Sequence, residues 1–374
     1  MCSIVVPLYQ YKNIYNYIMK HNFFAGPAIL PKEVLAKAGE SAHLVPEEGL
    51  SILEMSHRGA FVSNVMEQAV STCKELLNVP DDYAILFLTG GASSQFYMTP
   101  MNILAADQTA AYIDTGAWST KAIKEAKLYG HVDVIASSAD KNFNYIPTLG
   151  DIDGSKYRYL HYTANNTIFG TQFAGTPQTD ARLVCDMSSE MFSRSIDVSK
   201  YDIIYAGAQK NMGPAGTTLV IIKKDIVNQV ERAIPTMLNY ETHIKKDSSF
   251  NTPPVFPIYV SMLTMQWVKA QGGVDAMAKI NADKGKVLYD ELDRNELFKA
   301  NVPEGSRSLM NVTFLLNDDS KNAAFLEMCD AADIVGVKGH RSVGGFRASI
   351  YNAMPKSSIQ VLVDVMKEFE RTHG

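Results

Sequence analysis

Short apolar runs alternate with longer amphipathic stretches over most of the chain. Runs at 84–88, 110–114, 132–136, 159–162, 182–185, 203–206 and 217–222 predict seven strands. Helical periodicity predicts helices at 32–40, 64–77, 95–104 and 119–129. Strands alternating with helices predict an α/β fold built on a mostly parallel seven-stranded sheet, with ligands gathering at the carboxyl ends of the strands. The turn Gly213-Pro214-Ala215-Gly216 is too short for a crossover, so the last strand should run antiparallel. A long helix at 257–271 ends at Gly272-Gly273, which marks a boundary. Beyond it, helices at 283–293, 321–332 and 359–371 accompany strands at 310–315 and 345–350, predicting a smaller C-terminal α/β domain. The expected division is a large domain over 32–273 and a small domain made of 19–31 with 274–374.

Residues 1–18 stand apart. They are rich in tyrosine and aliphatics, but Pro7, Gln10 and Lys12 interrupt them, and no basic flank or small-residue cleavage site accompanies them. They read as a dispensable extension, a loose tail or a start-site artefact. Composition changes the picture little: 46% hydrophobic and 20% charged residues are those of an ordinary soluble protein. A net charge of −5 without a basic cluster argues against nucleic acid as a partner. Cys2, Cys73, Cys185 and Cys329 show no C-x-x-C spacing, the eight histidines form no zinc pattern, and reduced thiols fit the cytoplasm.

The candidate chemistry lies at strand ends. Asp202 to Lys210 is an apolar strand that runs into Gly207 and Ala208 and then presents one amine before the Gly-Pro-Ala-Gly turn. A partly desolvated lysine there can lose its proton near neutral pH and form a Schiff base with a flat aldehyde-bearing ring. One strand earlier, Val184-Cys185 ends in Asp186, a carboxylate suited to keeping the ring nitrogen of pyridoxal phosphate protonated. Upstream, Thr89-Gly90-Gly91-Ala92-Ser93-Ser94 joins a strand to a helix start and reads as a phosphate cup. The bland alternatives are a solvated turn lysine, an N-cap aspartate and an ordinary strand-to-helix turn. They weaken once all three features fall on one rim of one sheet.

With those residues in place, the chain resembles the phosphoserine aminotransferases, fold-type I pyridoxal-phosphate enzymes of class V. The resemblance spans Asn22 to Gly374 and rests on Asn22-Phe23-Phe24-Ala25-Gly26-Pro27-Ala28, Ser56-His57-Arg58-Gly59, Ala206 to Asn211, Phe250-Asn251-Thr252-Pro253-Pro254 and the run Gly339 to Ser349. It implies that Lys210 binds the cofactor, Asp186 pairs with the ring nitrogen, Trp118 stacks on the ring and Thr167 bonds the ring hydroxyl. It further implies that Ala92, Ser93 and Gln209 contact the cofactor phosphate, joined by Asn251 and Thr252 from the partner of a homodimer. Arg347 should clamp the substrate α-carboxylate, with His57, Arg58, His340 and Arg341 around a substrate phosphate. The implied reaction moves the amino group of L-glutamate to 3-phosphohydroxypyruvate in serine biosynthesis, with a pyridoxine-pathway substrate as a further expectation. Some relatives carry arginine or cysteine where this chain has Ser93.

Four other readings compete, one being a non-catalytic binding protein, which would have no reason to keep Lys210 and Asp186 together. Cysteine desulfurases usually carry a histidine before the lysine, where this chain has Gln209. An alanine–glyoxylate type aminotransferase has no need of both His57-Arg58 and His340-Arg341. A dinucleotide-binding oxidoreductase shares the sheet architecture but needs a G-x-G-x-x-G fingerprint that the chain lacks.

Overall fold

The computed structural model describes residues 20–374; the extension 1–18 and Cys2 lie outside them. A two-residue strand β1 (His21–Asn22) is followed by helices α1 (Lys32–His43) and α2 (Ala60–Leu77). Helix α2 forms because Val62, Val65, Ala69, Cys73 and Leu76 recur three or four residues apart and bury one face. It stops where Asn78 turns left-handed at φ 50°, a conformation asparagine tolerates. Then come β2 (Tyr83–Leu88), α3 (Gly91–Ile103), β3 (Thr109–Asp114), α4 (Ala117–Ala126), β4 (His131–Ser137) and β5 (Leu160–Thr163). A small ribbon, β6 (Asn165–Asn166) and β7 (Thr171–Gln172), precedes β8 (Leu183–Asp186), β9 (Tyr201–Gly207) and β10 (Thr218–Lys223).

Seven of these strands form one sheet in the order β2-β10-β9-β8-β5-β3-β4. Neighbours from β9 to β4 are parallel, and β10 runs antiparallel to both β9 and β2. The central strands are apolar on both faces because a core covers each side. One core joins the sheet to α1, α2 and α6 (Val255–Ala270), and the other joins it to α3 and α4. The short helix α5 (Tyr240–Ile244) packs beside β2. Cys73 and Cys185 are buried free thiols in the first core.

A second body follows: α7 (Gly273–Arg294), β11 (Phe298–Ala300), β12 (Asn311–Leu316), α8 (Asn322–Ala331), β13 (Ile334–Val335), β14 (Phe346–Ser349) and α9 (Lys356–His373). Its three-stranded sheet, β11-β12-β14, packs Phe298, Phe314, Phe325, Phe346 and Phe369 into one aromatic cluster. Strand β1 belongs here, pairing in parallel with β13. Helix α7 starts ten residues before the predicted 283. Gly272, left-handed at φ 99°, separates it from α6. Its buried face includes the polar Asn281 and Lys284, which break the apolar periodicity that sequence reading relies on.

Among the hydrogen bonds that fasten this second body to the large domain, two involve the β6–β7 ribbon and β12. The Asn165 side-chain amide donates to Asn311 Oδ1 at 2.7 Å, and Thr313 Oγ1 donates to the Phe169 carbonyl at 3.0 Å. Gly170, at φ 79°, sits where any Cβ would collide with Thr313, so the β6–β7 turn can lie flush against β12.

Candidate active site

Strand β9 ends at Gly207, and the chain turns so that Lys210 projects between the two bodies. Its Nζ donates to Thr167 Oγ1 at 2.7 Å, from the β6–β7 turn. The amine lies deep, although part of the residue reaches solvent. Burial pulls its pKa down to about 8; Asp186 opposes that shift and Arg347 reinforces it. A segment from the N-terminal strand covers the lysine. Ala28 N donates to the Gln209 carbonyl at 3.0 Å, and a Cβ on Gly26 would press on Lys210 Cγ at 3.2 Å.

Asp186 closes β8, the strand beside β9, and is buried. Its Oδ1 accepts from Ser188 N at 2.9 Å and Ser188 Oγ at 2.6 Å; no described residue donates to Oδ2. Ser188 Oγ in turn accepts from Gly207 N at 3.1 Å, so the carboxylate is locked to the strand that carries the lysine. Burial raises the Asp186 pKa, while Lys210 and the Ser188 bonds hold it back.

Trp118 stands in the first turn of α4. That helix begins where it does because Ser119 Oγ accepts from Thr115 N and Gly116 N and donates to Asp114. The Trp118 ring centroid lies 5.3 Å from Lys210 Nζ. Helix α3 begins at Gly91, four residues before the predicted start, so Gly91, Ala92 and Ser93 form its first turn with backbone N–H groups that have no intrahelical partner. Gly90 takes φ 95°, and a Cβ there would collide with Ser94, so only glycine makes this turn. A Cβ on Gly207 would meet the Gln209 side chain and lie 3.5 Å from Ala92 N, which sets Gln209 against the same cup.

Arg347 reaches the cluster from β14, opposite Thr313 on β12. Its Nη1 donates to the Thr167 carbonyl at 3.2 Å, while Nε is buried without an acceptor among the described residues. A half-buried guanidinium with an orphan donor is poorly satisfied until an anion arrives. His340 and Arg341 stand nearby in the loop before β14. His340 is held below its ordinary range by partial burial, then by the charges of Arg347, Arg341 and Lys121.

Within one chain the structure thus joins Lys210, Thr167, Asp186, Trp118, Gln209, Ala92, His340 and Arg347, with Ser93 exposed at the cup. It does not join the rest. His57 and Arg58 lie in the loop before α2, and no hydrogen bond or ion pair links their side chains to the cluster. Asn251 and Thr252 are exposed in the loop before α6; the Asn251 amide donates to the Thr252 carbonyl at 3.2 Å. Asn251 also borders a cavity of ≈ 190 Å³ behind Thr89 and Gly90. Sequence reasoning missed Ser188, legible only as the second residue after Asp186, and Lys121, legible as the third residue after Trp118.

Comparison with known proteins gives the family. The sequence pattern of the class-V aminotransferases matches residues 21–362. The chain belongs to that family, whose fold is the fold-type I arrangement of pyridoxal-phosphate enzymes. Within it, the chain groups with the phosphoserine aminotransferases. It is 54% identical to the phosphoserine aminotransferase of Parabacteroides distasonis, covering 95% of this chain and 99% of that one. A solved phosphoserine aminotransferase, studied for radiation damage of its Schiff base, superposes with a TM-score of 0.92 at 45% identity, covering 95% of this chain and 100% of that one. The pyridoxal-phosphate-bound enzyme of Trichomonas vaginalis superposes at 0.88 with 35% identity, covering 93% and 99%.

Pyridoxal phosphate is therefore the cofactor, and the residues fit it. Asp186 keeps one oxygen without a donor for a ring N–H. Trp118 supplies a flat face beside the lysine amine, and the α3 N-terminus offers free N–H groups to a phosphate.

Proposed function

We propose that the protein transfers the amino group of L-glutamate to 3-phosphohydroxypyruvate, giving O-phospho-L-serine and 2-oxoglutarate. One observation supports this above the others. Arg347, whose charge bears on Lys210, and Arg341 both bear on His340, so two arginines and a histidine donor share one side of the site. A substrate with one carboxylate needs one such group; a substrate that also carries phosphate needs several.

When bound, pyridoxal phosphate supplies the aldehyde that takes up the amino group and a ring that accepts electrons. The chain's own residues do the rest. Lys210, with its proton loosely held, serves as nucleophile and then as the base that takes the proton from the α-carbon of glutamate in one half-reaction and delivers a proton to the α-carbon of the new amino acid in the other. Thr167 Oγ1 accepts one N–H of that amine and so fixes its direction. Asp186, with Oδ2 free of donors among the described residues, would pair with the ring nitrogen and favour a proton there. Arg347 binds the α-carboxylate through its planar fork, placing the α-carbon next to Nζ. His340 and Arg341 bind the distal anion, a phosphate in one substrate and the side-chain carboxylate of glutamate in the other.

The remaining parts of the reading concern assembly and setting. A homodimer in which Asn251 and Thr252 complete the neighbour's phosphate cup gives those exposed polar residues a role, and His57-Arg58 joins the substrate phosphate in the assembled site. Residues 32–273 serve as the cofactor-binding domain and 19–31 with 274–374 as the small domain. The cellular setting is cytoplasmic serine biosynthesis, with a pyridoxine-pathway substrate in addition; no helix among the described residues is long and apolar enough to cross a membrane.

A coupled assay tests the reading, with glutamate as donor and 3-phosphohydroxypyruvate, hydroxypyruvate or glyoxylate as acceptor. The phosphorylated acceptor should give the highest kcat/KM. Preference for glyoxylate would favour an alanine–glyoxylate type enzyme instead.

A further inference from the structure

Lys121 has no assigned role, yet its position is unusual. It follows Trp118 by three residues on α4, so the two side chains share a helix face. Its Nζ lies 4.6 Å from the centroid of the Trp118 ring, the same ring that Lys210 approaches at 5.3 Å. No hydrogen-bond acceptor or carboxylate partners it among the described residues, and the residue is exposed.

The surroundings deepen the imbalance. Lys121 is one of three cations whose charge bears on His340, with Arg347 and Arg341. Asp186 is the acid group that faces Lys210, with only its Oδ1 taken by Ser188. Lys121 therefore adds positive charge to a rim already rich in it, at a cost that an ordinary surface position would not carry. An indole face holds an ammonium weakly, and a dianion a few ångströms away competes for it easily.

We propose that Lys121 is a specificity residue that leaves the Trp118 face to pair with the phosphate of the substrate, alongside His340 and Arg341. The inference rests on the phosphorylated-substrate reading given above. The residue type suits the task. Arg347 offers a planar fork matched to a carboxylate, whereas a lysine is a point charge on a flexible stem that can follow any of the three phosphate oxygens. Its partial exposure is consistent with a group at the mouth of the site, where the distal end of the substrate must lie if the α-carbon is at Lys210.

The test compares wild type, Lys121→Met and Lys121→Arg on 3-phosphohydroxypyruvate and on hydroxypyruvate, with inorganic phosphate as competitive inhibitor. Lys121→Met should lose about tenfold in kcat/KM on the phosphorylated acceptor, the size expected for one charge-assisted contact, and stay within about twofold on hydroxypyruvate. Inhibition by inorganic phosphate should weaken by a similar factor, and Lys121→Arg should recover most of both. A lysine that only steadies Trp118 would instead lower both acceptors equally and leave phosphate inhibition unchanged, which overturns the proposal. If wild type strongly prefers the phosphorylated acceptor and Lys121→Met keeps that preference, Lys121 is wrongly assigned and the functional reading stands. If wild type itself ignores the phosphate, both fall together.

Discussion

Lys210 and Lys284 are both amines that burial drives down, to about 8 and about 7 respectively, yet only one is built to react. Lys284 sits on α7 in the second body, fully enclosed. It donates to the carbonyls of Tyr351 at 2.6 Å, Ile350 at 3.1 Å and Asn352 at 3.4 Å. Each acceptor is backbone, so the amine's hydrogens are taken up in fastening the strand exit after β14 to the helix. Lys210 donates to one hydroxyl and is faced by a carboxylate and a guanidinium instead. A depressed lysine pKa therefore does not mark a catalytic residue by itself. What marks it is spare capacity: an amine with one hydrogen bond, beside a carboxylate with one free oxygen and an arginine with one orphan donor.

The contrast can be broken in four places. Lys210→Ala should drop kcat below about one thousandth of wild type while the melting temperature holds, and borohydride should no longer fix the cofactor to the chain. Retained turnover would remove Lys210 from the chemistry. Asp186→Asn should lower kcat by about a hundredfold, because a neutral amide no longer favours a protonated ring nitrogen, and the cofactor's visible absorption should shift. Lys284→Met keeps the volume but removes the amine donor from the Ile350 and Asn352 carbonyls, while Tyr351 keeps Met354 N, so unfolding free energy should fall by about 1–3 kcal/mol in denaturant titration. Its kcat/KM should stay within a few-fold; a loss as large as that of Lys210→Ala would mean the two lysines are not distinct. The last test is in pH. The folded pKa of Lys284 is lowered to about 7, so between there and the ordinary lysine range near 10.5 the unfolded chain holds a proton the folded chain has released. Wild-type stability relative to Lys284→Met should rise with pH across that window and be flat below it. A gap that instead shrinks as pH rises would show that the carbonyls stabilise the charged form.

The same contrast explains what the sequence could show. Lys210 ends an apolar strand among small residues, and Asp186 ends the preceding one, so strand periodicity alone placed both at one rim. Lys284 was invisible because a lysine at an apolar position reads as a break in the pattern; its carbonyl partners lie about 65 residues downstream. The early start of α3 escaped for a related reason. Gly91, Ala92 and Ser93 lack apolar periodicity, and the left-handed Gly90 that starts the helix looks like any turn glycine. Arg347 was legible as a cation in a glycine-rich run, but its bond to Thr167 depends on how β14 is set against the β6–β7 turn, which no local pattern encodes.

The pairing of β1 with β13 carries a consequence for synthesis. His21 leaves the ribosome about 300 residues ahead of Ile334, its partner. At about 5–20 residues per second, that is roughly 15–60 s during which the first strand has nothing to pair with. The same strand leads into Gly26 and Ala28, which cover the lysine turn. Arg347, on β14, is therefore the last part of the pocket to emerge, well after Lys210, Thr167 and Asp186.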